Sequence, residues 1–176
     1  MSKLAAPLPL TDGHLLEDFD SGQPSLNEFL QRHALAKQRA MLSRTYVATR
    51  ENRVVGYYTL AFVTLNSAEA PRRIGRGMPD SIPALLLARL AVDRREQGRG
   101  LGRSLLVDAL RRVWEVMAHG HAPVRVLVVD AIDESAARFY SRFDMTPSPV
   151  NPLRLYLFYR TLEAVFGKPG SGQGHS

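Results

Sequence analysis

The stretch Leu85–Leu110, LLLARLAVDRREQGRGLGRSLLVDAL, constrains this chain more than any other. It opens as an apolar run suited to a buried strand, with Leu85, Leu86, Leu87, Leu90 and Val92. A charged turn follows, Asp93-Arg94-Arg95-Glu96, and then Gln97-Gly98-Arg99-Gly100-Leu101-Gly102. Beyond the last glycine, Leu105, Leu106, Ala109, Leu110 and Val113 are spaced for one buried face of a helix, expected over Ser104–Ala118. A strand, a glycine-rich turn and a helix in that order make an anion site. Glycine lets the backbone take positive φ and approach a ligand, while the first helical turn points unpaired N–H groups at it. The helix dipole adds about half a positive charge there. A pyrophosphate is the natural occupant, although three alternate glycines also serve a tight connection that holds no ligand.

Two phosphate motifs are excluded by spacing. Arg103-Ser104 follows the last glycine where a P-loop needs Lys-Ser/Thr. Only Leu101 separates Gly100 from Gly102, where the dinucleotide fingerprint needs two residues.

Upstream, Leu8 to His14 reads as a short first strand or lead-in. A helix is expected from Pro24 to about Leu42, started by a capping box over Ser25-Leu26-Asn27-Glu28. Leu26, Phe29, Leu30 and His33 share one face, with His33 at the surface or boundary, and Arg32, Lys37 and Arg39 lie on the polar side. Thr45–Arg50 and Val54–Phe62 are β-rich and flank a turn at Glu51-Asn52, which predicts a hairpin. From Asn66 to Pro83 five Pro and Gly breakers predict a loop, which carries Arg72, Arg73 and Arg76. Such a basic loop either holds a polyanionic acceptor or is a solvated arginine cluster.

Downstream, the glycine-loop helix should end at Gly120, with Val124–Val129 as a core strand. Asp133 is the expected N-cap of a helix carrying Ala136, Ala137, Phe139 and Tyr140, and Leu153–Tyr159 is a last strand. Residues 1–167 are read as one domain, with a Gly/Ser-rich disordered tail over 168–176.

The chain has no cysteine, which excludes disulfides, thiolate metal sites and cysteine nucleophiles; no metal is assigned. Prolines break the N-terminal MSKLAAPLPLTDG, so no signal peptide is expected, and no apolar run approaches the roughly 20 residues of a membrane span. A cytoplasmic location without membrane contact follows as an expectation. The formal net charge is +6, and only Lys3, Lys37 and Lys168 are lysines. An arginine excess suits a nucleic-acid partner, but it also suits solubility or an anionic cofactor.

The spacing Gln97-x-x-Gly100-x-Gly102 after Leu90-Ala91-Val92-Asp93 resembles the acetyl-CoA pyrophosphate loop of the GCN5-related N-acetyltransferases (GNAT). The segment Ala136-Ala137-Arg138-Phe139-Tyr140-Ser141-Arg142-Phe143 resembles the same family's A-x-x-x-Y motif, with Asp144-Met145 in place of its usual Gly-Phe. The order of elements matches that fold from Leu8 to about Phe166. The resemblance implies an α/β (α+β) domain with a central mixed, mostly antiparallel sheet flanked by helices. It also implies acetyl-CoA bound by Leu90, Ala91, Val92, Arg94, Gln97, Gly98, Arg99, Gly100, Leu101, Gly102, Arg103 and Ser104, with Asp133, Ala136 and Phe139. Asp133 stands where many members carry an asparagine.

Further segments are similar to the acetyltransferase toxins of type II toxin–antitoxin modules. These are Phe19-x-Ser21-Gly22, Leu26-Asn27-x-Phe29-Leu30, Thr45-Tyr46-Val47, Val54-Val55-Gly56-Tyr57-Tyr58-Thr59-Leu60 and again Leu90-Ala91-Val92-Asp93. That subgroup implies acetylation of the α-amine of aminoacyl-tRNA, which blocks translation. It also implies a homodimer and a ribbon-helix-helix antitoxin whose complex binds operator DNA. The expected tRNA contacts are Arg32, Lys37, Arg72, Arg73, Arg76 and Arg89. A GNAT enzyme for a small amine or a protein N-terminus is the alternative, and so is a non-catalytic CoA- or nucleic-acid-binding module.

Acetyl transfer needs a neutral amine, a polarised carbonyl and a proton for the leaving thiolate. The motif assigns the proton to Tyr140, since a phenol with pKa ~10 stays protonated at neutral pH. Main-chain N–H groups near Leu90–Val92 would polarise the carbonyl. Ala84–Val92 and Tyr57–Phe62 contain no Glu, Asp or His to act as base. A lysine amine, pKa ~10.4, is about one part in a thousand neutral at pH 7, whereas an α-amine of pKa ~7.7 to 8.0 is already ~10–20% neutral. A site without a base therefore suits an aminoacyl ester, unless water relays protons to a remote carboxylate such as Glu134.

Overall fold

Two consecutive left-handed residues, Glu51 (φ 49°) and Asn52 (φ 67°), turn the chain between β2 (Arg44–Arg50) and β3 (Arg53–Asn66). Positive φ at both central positions matches the turn's twist to that of the flanking strands. The register runs from Arg50↔Arg53 to Arg44↔Leu60, with an irregularity between Ala48 and Thr49. This is the hairpin expected from the sequence, with β3 extended to Asn66.

The computed structural model describes residues 2–120 and 122–170. The strands form one seven-stranded sheet in the order β1-β2-β3-β4-β5-β7-β6. Contacts divide the chain into two compact units, Met1–Ala61 with Leu87–Ala109, and Phe62–Leu86 with Leu110–Ser176.

In the first unit, β1 (Leu4–Pro9) pairs antiparallel with β2, from Leu4↔Arg50 to Pro9↔Tyr46. The first strand thus starts at Leu4 rather than Leu8. Pro24 occupies the first turn of α1 (Pro24–Glu28), whose N-cap is Gln23 without a side-chain cap. The expected capping box does not form. Ser25 already lies inside the helix, and Asn27 Oδ1 instead accepts from the Ser21 amide at 2.8 Å and the Ser21 hydroxyl at 2.8 Å. A π-helical turn over Phe29–His33 interrupts the expected continuous helix before α2 (Ala34–Arg39), which ends short of Leu42. Gln38 in α2 donates to the Leu10 carbonyl at 2.8 Å and accepts from the Thr45 amide at 3.0 Å. Phe29, Leu30 and Ala34 are buried with Leu10, Phe19, Val47, Val54 and Tyr57. Each large side chain removed from water contributes about 1.5–3 kcal/mol. His33 is exposed, one of the two positions expected for it, although Phe29 and Leu30 of the same expected face are buried.

Strand β4 (Ser81–Val92) passes through both units. It begins before Leu85 because Ile82 and Ala84 are buried while Ser81 and Pro83 face outward, a strand alternation that tolerates Pro83. The region expected to be loop, 66–83, therefore contains the start of β4, a 3-10 turn at Ser67–Glu69 and a short α3 (Arg72–Gly75). The next helix, α4 (Leu101–Ala118), starts three residues earlier than expected, with Gly102 inside its first turn. It ends near Gly120, whose φ is 66°.

In the second unit, β5 (Val126–Asp130) pairs antiparallel with β7 (Arg154–Phe158) from Val126↔Phe158 to Asp130↔Arg154. As expected, β7 is the last strand along the chain, but the two-residue β6 (Thr146–Pro147) pairs outside it and forms the sheet edge. Between β5 and β6 lies α5 (Glu134–Ser141), and after β7 comes α6 (Tyr159–Phe166), absent from the sequence reading. Ile82, Ala84, Val126, Val128 and Tyr156 build this unit's core with Leu65 and Ala70. The end of the expected tail, 171–176, lies outside the described residues.

Candidate functional site

Gln97, Gly98, Arg99 and Gly100 are exposed where the chain passes from β4 to α4. Gly98 (φ 78°) and Gly100 (φ 86°) are left-handed, and a Cβ on either would meet nothing within 4 Å. The space in front of the loop is open to a ligand. The Ser104 amide donates to the Gly100 carbonyl at 3.1 Å, so the helical ladder starts there. The amides of the preceding first-turn residues have no intrahelical acceptor and point forward. These are the residues a diphosphate would need, with the dipole end of an 18-residue helix behind them.

Side chains hold the loop from behind. Gln97 Nε2 donates to the carbonyls of Ser21 (3.0 Å) and Val92 (2.9 Å), tying the loop to the strand end and to the segment before α1. Asp93, 1% exposed, accepts from the Asp20 amide (3.1 Å), the Arg95 amide (2.9 Å) and the Arg95 guanidinium at Nε and Nη2 (both 2.9 Å). Burial pushes its carboxyl up, but the hydrogen bonds from Arg95 and Asp20 outweigh burial and hold it at about 2. Glu96, 6% exposed, sits in the fork of Arg50, whose hydrogen bonds lower its pKa. Sequence reading passed over Asp93 and Glu96 as turn charges, since nothing local marks a carboxylate that will be buried.

Close packing sets the height of α4 over the sheet. A Cβ on Gly56 of β3 would come within 2.9 Å of Leu105 Cδ1 and 3.2 Å of Leu101 Cδ2. Arg94 is drawn aside: its Nε lies 3.5 Å from Asp20 Oδ2, and its guanidinium packs over Gly22. Arg99 Nη1 lies 3.9 Å from Glu96 Oε2. Among the expected RNA contacts in this unit, Arg89 stacks its guanidinium 3.9 Å from the Phe29 ring centroid. Arg32 is exposed 3.8 Å from Glu28, and Lys37 is exposed on α2.

The second unit carries the other expected residues. Asp133 caps α5, its Oδ1 accepting from the Ala136 amide at 2.8 Å, so these two are engaged with each other. Tyr140, 6% exposed, packs edge-on against Phe139, with centroids 5.3 Å apart. Burial pushes its phenol up, which keeps it protonated well above neutral pH. Glu134 is exposed near Arg138.

The same unit contains a basic cavity of about 730 Å³, lined by Arg73, Arg76, Arg125 and Arg160, with Tyr156, Phe158 and Tyr159. A second cavity of about 750 Å³ is lined by Arg72 and by the same Arg73 and Arg76. The three loop arginines expected to meet a polyanion thus gather here. Arg125 and Arg160 were missed, because neither lies in a recognisable motif and only the fold brings them beside Arg73. Among the described residues no helix is long and apolar enough to cross a membrane.

The model of the acetyltransferase (GNAT) domain family matches residues 42–144. The "tRNA-acetylating toxin" of Mycobacterium tuberculosis is 44% identical over 167 residues, covering 95% of this chain and 99% of the relative. Among solved structures, AtaT complexed with acetyl-methionyl-tRNAfMet is 32% identical with a TM-score of 0.82, covering 93% of this chain and 99% of that one. A Tyr-to-Phe variant of AtaT bound to the C-terminus of the antitoxin AtaR and acetyl-CoA is 30% identical with a TM-score of 0.79, covering 94% and 99%.

Proposed function

Since the chain belongs to the GNAT family of acetyltransferases, we propose that it transfers acetyl from acetyl-CoA to the α-amine of aminoacyl-tRNA. In this reading it acts as a cytoplasmic, homodimeric toxin. A ribbon-helix-helix antitoxin neutralises it, and their complex binds operator DNA. The observation that carries the substrate is the 44% identity, along nearly the whole chain, to a relative named for acetylating tRNA. The open, left-handed Gly98–Gly100 loop supports the donor.

Acetyl-CoA supplies an activated thioester whose thiolate leaves. The chain's part is to bind, orient and protonate. First-turn amides of α4 and the Gly98–Gly100 backbone hold the diphosphate, with Gln97, Asp93 and Glu96 keeping that backbone in place. The substrate amine attacks the carbonyl carbon, the C–N bond forms as the C–S bond breaks, and the Tyr140 phenol gives its proton to the departing sulfur, while the proton shed by the acylated nitrogen passes to water and so restores the phenol. The amine arrives neutral because an α-amine on an ester is a weak base, so no enzymic carboxylate is required.

The test compares purified protein acting on aminoacyl-tRNA and on lysine peptides with labelled acetyl-CoA. Transfer to aminoacyl-tRNA alone is expected. Equal rates on lysine peptides would end this reading.

A further inference from the structure

Four guanidinium groups, from Arg73, Arg76, Arg125 and Arg160, converge on the cavity of about 730 Å³ in the second unit, where Phe158 and Tyr159 offer half-buried rings. One carboxylate, Asp144, opposes them. Arg73 is oriented by a 2.9 Å bond to the Thr146 hydroxyl. Among the described residues Arg76, Arg125 and Arg160 have no carboxylate partner, so their charge is available. The second cavity continues along Arg72, Arg73 and Arg76. A single small anion would need one such fork. Two cavities joined by shared arginines suit a chain of phosphates instead, and each lies within the roughly 300–1,000 Å³ range of ligand sites.

We propose that this cavity grips the single-stranded 3′ end of the acceptor RNA. Arg125 and Arg160 hold backbone phosphate, Tyr159 supplies a face for a base, and the Arg72–Arg76 segment carries the strand onward. The proposal rests on the aminoacyl-tRNA reading and adds residues to it. Contacts to phosphate and ring faces carry little sequence information, so the grip selects RNA-linked amines over free ones rather than one base over another.

The experiment uses the full chain and two substrates, aminoacyl-tRNA and methionine methyl ester. In Arg125→Ala and Arg160→Ala the ratio of kcat/KM on aminoacyl-tRNA to that on the ester should fall at least about tenfold. The log–log salt slope of tRNA binding should shrink by about 0.7 per arginine removed. The heat of acetyl-CoA binding checks that each variant is folded. On wild-type protein, deacylated tRNA should protect Arg125 and Arg160 from an arginine-specific glyoxal reagent, read by mass spectrometry, and acetyl-CoA should not. An unchanged ratio in folded variants, or no protection by tRNA, overturns the cavity's role while leaving aminoacyl-tRNA as substrate. Protection by an acidic partner protein but not by tRNA overturns it as well and reassigns the cavity. A wild-type enzyme inactive on every aminoacyl-tRNA overturns both readings.

Discussion

Arg50 holds Glu96 from two sides, Nε to Oε1 at 2.7 Å and Nη2 to Oε2 at 3.2 Å, across 46 residues of sequence. The pair joins the end of β2 to the turn that precedes the glycine loop. A bidentate fork fixes direction as well as distance, so the loop inherits its position from the hairpin.

Arg50→Ala leaves the Glu96 carboxylate without its main partner in a largely buried setting. Acetyl-CoA binding should weaken on the order of tenfold, as measured by calorimetry, with a lower melting temperature. Glu96 is held below its ordinary 4.5, so the pair's contribution is complete above that value and fades as pH falls beneath it. Wild-type protein should lose this increment on acidification, whereas the variant has none to lose.

Asp93 gives a sharper pH dependence. Its folded value of about 2 lies below the ordinary 3.8, so its stabilisation is present above about pH 4 and is lost as pH falls toward 2. Asp93→Asn removes the charge while two backbone amides and Arg95 still seek an acceptor. We expect a loss of about 1–3 kcal/mol, or a melting temperature lower by about 2–12 °C. The gap to wild type should narrow below pH 4 in denaturation curves.

Gly56→Ala tests the packing of α4 on β3. The new methyl would fall 2.9 Å from Leu105 Cδ1, and overpacking of this kind costs about 1–3 kcal/mol. If α4 rides outward to relieve it, the Leu101–Ser104 amides move with it and the Kd for acetyl-CoA rises. A lower melting temperature with unchanged Kd would show that side chains alone absorb the methyl.

Tyr140→Phe should lower kcat by about 10²–10⁴ while leaving the acetyl-CoA Kd within a few-fold of wild type. Because the phenol already lies within a buried, apolar setting, loss of its hydroxyl should barely alter the melting temperature. In wild type the acid limb of kcat/KM should follow the substrate amine rather than a carboxylate of the chain, and a limb near pH 4–5 would contradict the base-free route.

Much of this was legible because it is local. Glu51-Asn52 states its turn in two residues, and Asp133 caps α5 three residues ahead of the amide it accepts. The apolar spacing of Leu105, Leu106, Ala109 and Val113 shows the buried face of α4, and all four are buried. What escaped depends on distant partners. Ser25 and Glu28 spell a capping box, yet the N-cap falls two residues earlier, at Gln23, and Asn27 is taken by Ser21. Pro83 reads as a breaker until the outward face it occupies is known. A two-residue strand such as Thr146–Pro147 has no periodicity to detect. The arginine cavity draws Arg73, Arg125 and Arg160 from three separate segments, so no window of sequence contains it.

The π turn at Phe29–His33 acts as a phase shifter. One residue more than an α-helical turn rotates everything after it by about 100° about the helix axis. That added azimuth lets Gln38 reach both Leu10 and Thr45 while Phe29 and Leu30 still face inward. Deleting a single residue between Phe29 and His33 would restore a uniform pitch and swing Gln38 off both targets, unfastening α2 from the strand edge it clasps.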